Sequence, residues 1–362
     1  MNDWLVEHGG PDDGLPVRWD FSTNANAVPT APALLAALAQ AERCHYPDPQ
    51  YRVLRQTLAQ VWACEADRIV PTAGSSEGIR RLTLCAKLAG VRTVWVPKPG
   101  YGDYRAAAQA LGLAVRPYAD ADALVHALSS PGQGRHEADV VPLVWFNEPC
   151  NPTGASLPAA FWVSLRSVLA DGLCIAALDR AYEPLRLTGT DPIPVDVAAL
   201  CWQLWSPNKA LGLTGVRAGC MVTPDWAAVR TASAWTRDLH ALAPSWVLSA
   251  EGVSLMQAWH APDVQAWLQL SRQTLSGWLA LQQNRLAALG WTITPSVTPF
   301  FLARPAMPGP GVKPAHLRAH GIKLRDTSSM GLPGWWRLST QPPVAQEALL
   351  EALQSASTKD HP

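Results

Sequence analysis

Lysine is scarce in this chain of 362 residues: Lys87, Lys98, Lys209, Lys313, Lys323 and Lys359 are all there are. Five of them occupy helix, loop or tail contexts. Lys209 instead follows an apolar run, 201–205, in Ser206-Pro207-Asn208-Lys209-Ala210-Leu211-Gly212. An amine held at the end of a buried strand among apolar neighbours is a usable nucleophile towards an aldehyde, although an isolated lysine after a strand is more often a solvated structural residue. Its company changes that weighting. Asp179 ends the apolar run 174–178, where a carboxylate can hold a protonated ring nitrogen. Asn151, in Asn147-Glu148-Pro149-Cys150-Asn151-Pro152-Thr153-Gly154, follows the run 140–146 and can donate to a phenolate oxygen. Taken singly, Asp179 reads as a turn or cap residue and Asn151 as an Asn-Pro turn former.

A fourth group completes the set. Thr72-Ala73-Gly74-Ser75-Ser76-Glu77-Gly78 closes the first apolar run, 68–72, and opens a helix. Small residues there let backbone N–H groups reach an anion at the positive helix end, which is a phosphate cradle; an ordinary serine N-cap is the plainer reading. No G-x-G-x-x-G follows that first strand, and Gly100-Tyr101-Gly102-Asp103-Tyr104-Arg105 lacks its third glycine, so a nicotinamide oxidoreductase is disfavoured. Neither a G-x-x-x-x-G-K-[ST] nor an H-E-x-x-H pattern occurs, and no metal site is expected. A lysine, an acid, an amide donor and a phosphate cradle at successive strand ends jointly match what pyridoxal phosphate requires.

The elements that must position these groups alternate. Helical segments near 50–63, 76–89, 103–111 and 158–170 are interleaved with apolar runs at 68–72, 93–96, 140–146, 174–178 and 201–205, with a further strand candidate at 216–222. That pattern predicts an α/β fold with a mostly parallel sheet covered on both faces. Such sheets bind ligands beyond the carboxyl ends of their strands, where the polar residues above fall. Residues 1–33 read as an irregular arm leading into a short helix at 33–42. Helical pattern dominates 225–289, including one long segment over 263–289. The remainder mixes strands (291–294, 300–303, 322–325, 335–339) with helices (314–319, 343–355) around a Pro/Gly loop at 305–314, predicting a small α+β lobe.

Composition agrees with small-molecule work. Lysine plus arginine and aspartate plus glutamate number 29 each, so no global field draws nucleic acid or an anionic membrane; 48% hydrophobic residues supply a core. Seven cysteines without a C-x-x-C pair read as free thiols in a reducing compartment. Neither a leader pattern nor a membrane-length apolar stretch is present, so a cytoplasmic protein is expected.

On these motifs the sequence resembles the fold-type I pyridoxal-phosphate enzymes of the class I/II aminotransferase group, closest to the branch holding histidinol-phosphate aminotransferases and cobalamin-pathway threonine-phosphate decarboxylases. The resemblance implies a mostly parallel seven-stranded sheet flanked by helices, with a small α+β domain. It also implies a division into 1–45 (arm and part of the small domain), 46–258 (large cofactor-binding domain) and 259–362 (small domain). By motif, Ser75 and Ser76 match the cofactor phosphate turn, with Ser206 and Arg217 as further phosphate ligands. Tyr101 matches the aromatic that stacks on the pyridine ring. Asn151 and Tyr182 match the donors to the ring O3′, Asp179 the partner of the ring nitrogen, and Lys209 the residue that binds the cofactor covalently. Tyr46, in Cys44-His45-Tyr46-Pro47-Asp48, matches a tyrosine that reaches a neighbouring subunit's cofactor, implying a homodimer with shared sites. Arg337, in Trp335-Trp336-Arg337-Leu338-Ser339, matches the arginine that grips a substrate carboxylate, and Arg325 a second arginine of the phosphate-substrate branch. Either arginine could otherwise be a surface strand residue.

Two openings, His8-Gly9-Gly10 and Asp20-Phe21-Ser22-Thr23-Asn24-Ala25-Asn26, resemble the decarboxylases and place His8 and Asn26 among the substrate-binding candidates. The leading expectation is therefore decarboxylation of L-threonine O-3-phosphate to (R)-1-amino-2-propanol O-2-phosphate for cobalamin biosynthesis. The alternatives are an aminotransferase of the histidinol-phosphate kind and a non-catalytic pyridoxal-phosphate-binding protein. Departures from the pattern include Ala27 in place of a proline, Arg180 after Asp179, Cys150 in the Asn151 turn, and no asparagine in Pro244-Ser245-Trp246-Val247-Leu248-Ser249.

Overall fold

The structure, a computed structural model, describes residues 6–130, 141–306 and 312–358. The first five residues of the arm, residue 140 of the expected third strand and the centre of the 305–314 loop lie outside the described residues. An N-terminal arm carries β1 (Trp19–Asp20) and leads into α1 (Pro32–Ala39) and α2 (Arg52–Val61). There follow β2 (Ile69–Thr72), α3 (Ser75–Leu88), β3 (Thr93–Pro97), α4 (Gly102–Ala110), β4 (Ala114–Tyr118), α5 (Ala121–Ser129), β5 (Leu143–Asn147), α6 (Ala159–Ala170), β6 (Ile175–Asp179), α7 (Val195–Ala198), β7 (Trp202–Trp205) and β8 (Gly219–Val222). Helices α8 (Ala232–Ala241), α9 (Ala250–Ala258) and the 27-residue α10 (Pro262–Ala288) lead to a second sheet. Its region contains β9 (Thr292–Ile293), β10 (Phe300–Arg304), α11 (Pro314–Ala319), β11 (Ile322–Lys323), β12 (Arg325–Asp326), β13 (Trp336–Ser339) and α12 (Pro343–Thr358).

The larger sheet has seven strands in the order β2-β8-β7-β6-β5-β3-β4, parallel except for β8, which runs antiparallel to both neighbours. Its residues alternate faces as the pleat requires. Leu143 and Trp145 join a core with Leu82, Ala107 and Leu239 from α3, α4 and α8. Val144 and Phe146 enter another core, with Phe161, Trp162 and Leu165 of α6. A third core sets Leu54 and Leu58 of α2 and Leu255 of α9 against Ile69 and Val222. Both faces are thus covered, which explains why the strands read as unbroken apolar runs. Helix α3 is held down by Ile79, Leu82, Thr83 and Ala86, one helical face by spacing.

The four-stranded sheet, β12-β13-β10-β9, is antiparallel throughout. Strand β1 of the arm pairs with β11, so the arm is built into this second unit. The seven strands of the larger sheet fall within 46–258 and the four-stranded sheet within 259–362.

Three expectations of local structure change. The sequence pattern predicts neither strand β4 nor helix α5: β4, Ala-Val-Arg-Pro-Tyr, is an edge strand where proline and an exposed arginine are tolerated. The single strand expected at 322–325 divides, since Ile322–Lys323 pairs with β1 while Arg325–Asp326 pairs with β13. The helical pattern over 225–289 is interrupted between α8 and α9, where Trp246 takes φ 49°.

Candidate active site

The strand ends deliver their polar residues to one pocket, lined among others by Ser75, Ser76, Tyr101, Asn151, Asp179, Tyr182, Lys209, Arg217 and Arg337. Strands β5 and β6 run in register with Asn147 opposite Asp179, which brings the two following loops side by side. The Asn147 side chain then donates to Asp179 O at 3.2 Å, and its Oδ1 accepts from Asn151 N at 2.7 Å.

At one end of the pocket, Gly74 precedes α3 with φ +88°, a conformation that favours glycine. A Cβ there would lie 2.5 Å from Arg217 Nη2 and 3.7 Å from Ser206 Oγ. Ser75 Oγ is buried with no hydrogen-bond partner among the described residues. An unpartnered hydroxyl, a helix N-terminus and an arginine converging on a space only glycine leaves open fit the phosphate of pyridoxal phosphate. Ser76 Oγ sits 3.1 Å from the Tyr101 hydroxyl, which donates to Asp103 Oδ2 at 2.8 Å. Burial, with Asp103 beside it, pushes that phenol well above the usual tyrosine range.

Asp179 is 3% exposed. Its Oδ2 accepts from the Tyr104 hydroxyl at 2.8 Å and its Oδ1 from Ala181 N at 3.0 Å. Burial raises its carboxyl above the ordinary value, opposed chiefly by the charge of Lys209. A protonated pyridine nitrogen supplies the further cation that such a carboxylate favours. Lys209 Nζ lies 5.2 Å from the centre of the Tyr182 ring, and Tyr182 itself packs edge-on against Phe300 of the second sheet, centroids 4.7 Å apart.

Arg337, on β13, is 4% exposed and donates from Nη1 to Asn151 Oδ1 at 2.6 Å and from Nη2 to Ser22 O at 2.5 Å. Loss of hydration, reinforced by the nearby charge of Arg325, lowers its guanidinium to about 10, still charged at neutral pH. The arm reaches the same place. His8 and Gly9 line the pocket, with His8 Nε2 3.6 Å from Asp103 Oδ1. Any Cβ on Gly9 would strike Ser22 O at 2.0 Å, so the glycine is what allows the arm to lie this close.

Other candidates sit elsewhere. Arg325 is Arg337's partner across the β12–β13 pair but is not among the pocket-lining residues; Glu7 covers it, forming an ion pair and accepting Arg325 Nη2 on its carbonyl at 2.7 Å. Asn26 is buried and committed to backbone, Nδ2 to Ala210 O at 3.0 Å and Oδ1 from Val28 N at 2.9 Å. Tyr46 is 76% exposed, stacked on Trp246 at 4.1 Å and outside the pocket. Ser206 is not among the pocket-lining residues; its Oγ donates to Asn208 Oδ1 at 2.8 Å and lies 3.7 Å from where a Cβ on Gly74 would be.

Sequence reasoning missed Tyr104, whose only signal was an aromatic in the first turn of the helix that follows β3. It also missed Asn24, two residues before the asparagine it chose. The unusual Arg180 is explained by its surroundings: it is 1% exposed, pairs with Asp191, and its guanidinium lies 5.1 Å from the centre of the Trp205 ring. Glu148 is buried and bound by Arg186, which also holds Glu183, tying the Asn151 loop to the Tyr182 loop. Among the described residues, no group of three or more His, Cys, Asp or Glu could hold a metal ion, and no helix is long and apolar enough to cross a membrane.

A phosphate cradle, a strand-end aspartate and a lysine around one pocket of a mostly parallel α/β sheet define a pyridoxal-phosphate enzyme. The chain belongs to the aminotransferase class I and II family, whose model matches residues 19–355. It is 28% identical over 360 residues to the histidinol-phosphate aminotransferase of Symbiobacterium thermophilum, covering 95% of this chain and 91% of that protein. The enzyme of the same name from Rhodospirillum rubrum is 28% identical, with 92% and 88% covered. In fold it is similar to the histidinol-phosphate aminotransferase of Sinorhizobium meliloti in complex with pyridoxal-5′-phosphate (TM-score 0.76, 21% identity, 95% and 92% covered). It is also similar to the L-threonine-O-3-phosphate decarboxylase of Porphyromonas gingivalis (TM-score 0.72, 20% identity, 92% and 98% covered).

Proposed function

We propose that this enzyme transfers the amino group of a phosphorylated amine of the histidinol-phosphate kind. The observation that carries the reading is the meeting of Lys209 and the buried Arg337 in one pocket, an amine to form and exchange a covalent link and a guanidinium to hold an anion. The names of the relatives matched nearly end to end support transamination over the decarboxylation expected first. Bound pyridoxal phosphate supplies an electron sink conjugated with the substrate's Cα. Ser75, Ser76, Ser206 and Arg217 are assigned to its phosphate, Tyr101 to its ring face, Asn151 and Tyr182 to its O3′. Asp179 would hold a proton on the ring nitrogen, and Lys209 would bind the cofactor and hold and return the substrate's Cα proton at Nζ. Arg337 would fix the substrate anion and so orient Cα for the bond change. Tyr46, exposed in the single chain, is assigned to the neighbouring site of a homodimer.

Decarboxylation of L-threonine O-3-phosphate is the second reading, favoured by one observation of its own: the His8-Gly9 arm forms part of the pocket wall. The joint presence of Lys209, Asp179 and Arg217 argues against a non-catalytic binding protein. Incubating the cofactor-loaded protein with histidinol phosphate plus 2-oxoglutarate, and separately with threonine phosphate, while measuring glutamate and CO2, tests the proposal. Glutamate supports it. CO2 from threonine phosphate without an oxo acid replaces it with the second reading, and neither product removes both.

A further inference from the structure

A second cavity, of about 480 Å³, shares no lining residue with the pocket described above. Arg55 of α2, Arg81 of α3, His240 of α8 and the 243–247 turn between α8 and α9 form its walls, and no aspartate or glutamate is among its lining residues. Arg81 is 4% exposed. Its Nη1 donates to Leu239 O at 3.2 Å and its Nη2 to Pro71 O at 2.6 Å and Glu77 Oε2 at 2.8 Å, which fixes the guanidinium and leaves Nε with no hydrogen-bond partner among the described residues. His240 Nε2 is also buried and without one. Arg55 is anchored at the rim, from Nε to Ala66 O at 3.1 Å and from Nη2 to Asp67 Oδ1 at 2.6 Å. Two buried nitrogens left unbonded around one cavity are costly, and such groups are normally satisfied by a partner.

The walls are preorganised. Tyr51 and Trp246 both line the cavity and both hold φ 49°, a left-handed conformation that costs a residue with a side chain of order 1 kcal/mol. The Tyr51 hydroxyl donates to Leu248 O at 3.1 Å and accepts from Leu248 N at 3.0 Å, tying the start of α2 to the 243–247 turn. Burial and the charges of Arg55 and Arg81, opposed by Asp67, hold His240 down to about 4, so the surroundings disfavour another cation and favour an anion. We propose that this cavity is a second ligand site, for a small organic anion bearing a carboxylate or phosphate, separate from cofactor and substrate. The anion accepts from Arg81 Nε and His240 Nε2 with the Arg55 charge beside it, and Pro49, Pro71 and Val247 offer an apolar wall to its organic part. The site is independent of the reaction assigned to Lys209.

The test is calorimetric titration of phenyl phosphate and of benzoate into the cofactor-loaded protein, for the parent, Arg55→Gln, His240→Gln and Arg337→Lys. At least one probe should bind the parent and Arg337→Lys alike, and hydrogen exchange should show it protecting the 243–247 turn. Arg55→Gln and His240→Gln should each weaken that binding about tenfold, the loss of one hydrogen bond to a charged group, with KM for the productive substrate unchanged. His240→Gln should unfold near the parent's temperature, since its Nε2 has no partner to lose; it carries the test if Arg55→Gln, deprived of Asp67, is destabilised. The proposal is overturned if neither probe binds, if the only binding is that lost with Arg337→Lys, if His240→Gln binds as tightly as the parent, or if the protected amides lie elsewhere. An acidic side chain of a second copy filling the cavity would appear as the first of these outcomes, with a changed oligomeric state in Arg55→Gln.

Discussion

Arg337 donates to Asn151 Oδ1 at 2.6 Å, joining a strand of the small sheet to the loop that follows β5 of the large one. One hydrogen bond thus couples the residue assigned to the substrate anion to a residue assigned to the cofactor ring. Both partners are buried, Asn151 at 4% and Arg337 at 4% exposed, so the bond is shielded from competing water.

Arg337→Lys should raise KM for an anionic substrate by about 10- to 150-fold, roughly 1.5–3 kcal/mol for a lost charge-assisted bond. A single ammonium cannot serve Asn151, Ser22 and an incoming anion in the planar fork that a guanidinium provides. Cofactor content should change little, because the phosphate cradle lies at the other end of the pocket. Steady-state kinetics and absorbance of bound cofactor check both halves; an unchanged KM would place the anion elsewhere.

Asp179→Asn should retain the cofactor yet lower turnover about a thousandfold, on the order of 4 kcal/mol of transition-state stabilisation. A neutral amide does not stabilise a protonated pyridine nitrogen, so the electron sink weakens. Turnover within a few fold of the parent would mark Asp179 as a turn residue.

Tyr104→Phe removes the hydroxyl that donates to Asp179 Oδ2 while preserving the ring, which stacks on Trp145 with centroids 5.0 Å apart. That bond and the Lys209 charge oppose the rise that burial imposes on Asp179. Without the bond, the aspartate's charged form is less favoured and its hold on a protonated ring nitrogen loosens. Turnover should fall about tenfold, roughly 1.4 kcal/mol, with stability little changed. Parallel measurement of rate and Tm distinguishes this from a packing defect.

Acid should destabilise the protein from about pH 6.5 downward through two largely buried histidines. Burial lowers His240 to about 4, with the charges of Arg55 and Arg81 adding to it, and burial alone lowers His260 to about 4. The folded state keeps both neutral while the unfolded chain protonates them near 6.5, so the stability they contribute is fully present above about 6.5 and declines as pH falls towards 4. Roughly 1–2 kcal/mol each is expected after allowing for their partial solvent contact. Denaturant unfolding between pH 7 and 4 measures this, and a His260→Phe variant should show a shallower decline.

Much of the site was legible in the sequence because its parts are local. A small-residue turn between an apolar run and a helix, an acid closing a strand, and a lysine after another strand are patterns spanning a few residues, and α/β topology places strand ends together. The two faces of the large sheet followed from runs too apolar to have a wet side. Tertiary structure decided what meets across distance. Arg337 and Asn151 are 186 residues apart and Tyr104 and Asp179 are 75 apart, separations over which neither periodicity nor propensity carries information. In the irregular segment 20–26 no repeating geometry distinguishes Asn24 from Asn26; the Ala210 carbonyl and the Val28 N–H do so, by engaging both ends of the Asn26 amide, while that of Asn24 has no hydrogen-bond partner among the described residues. Arg325 and Arg337 look alike as strand arginines, but the fold lets Glu7 cover the first and opens the pocket to the second, because burial and charge pairing are properties of the packed chain.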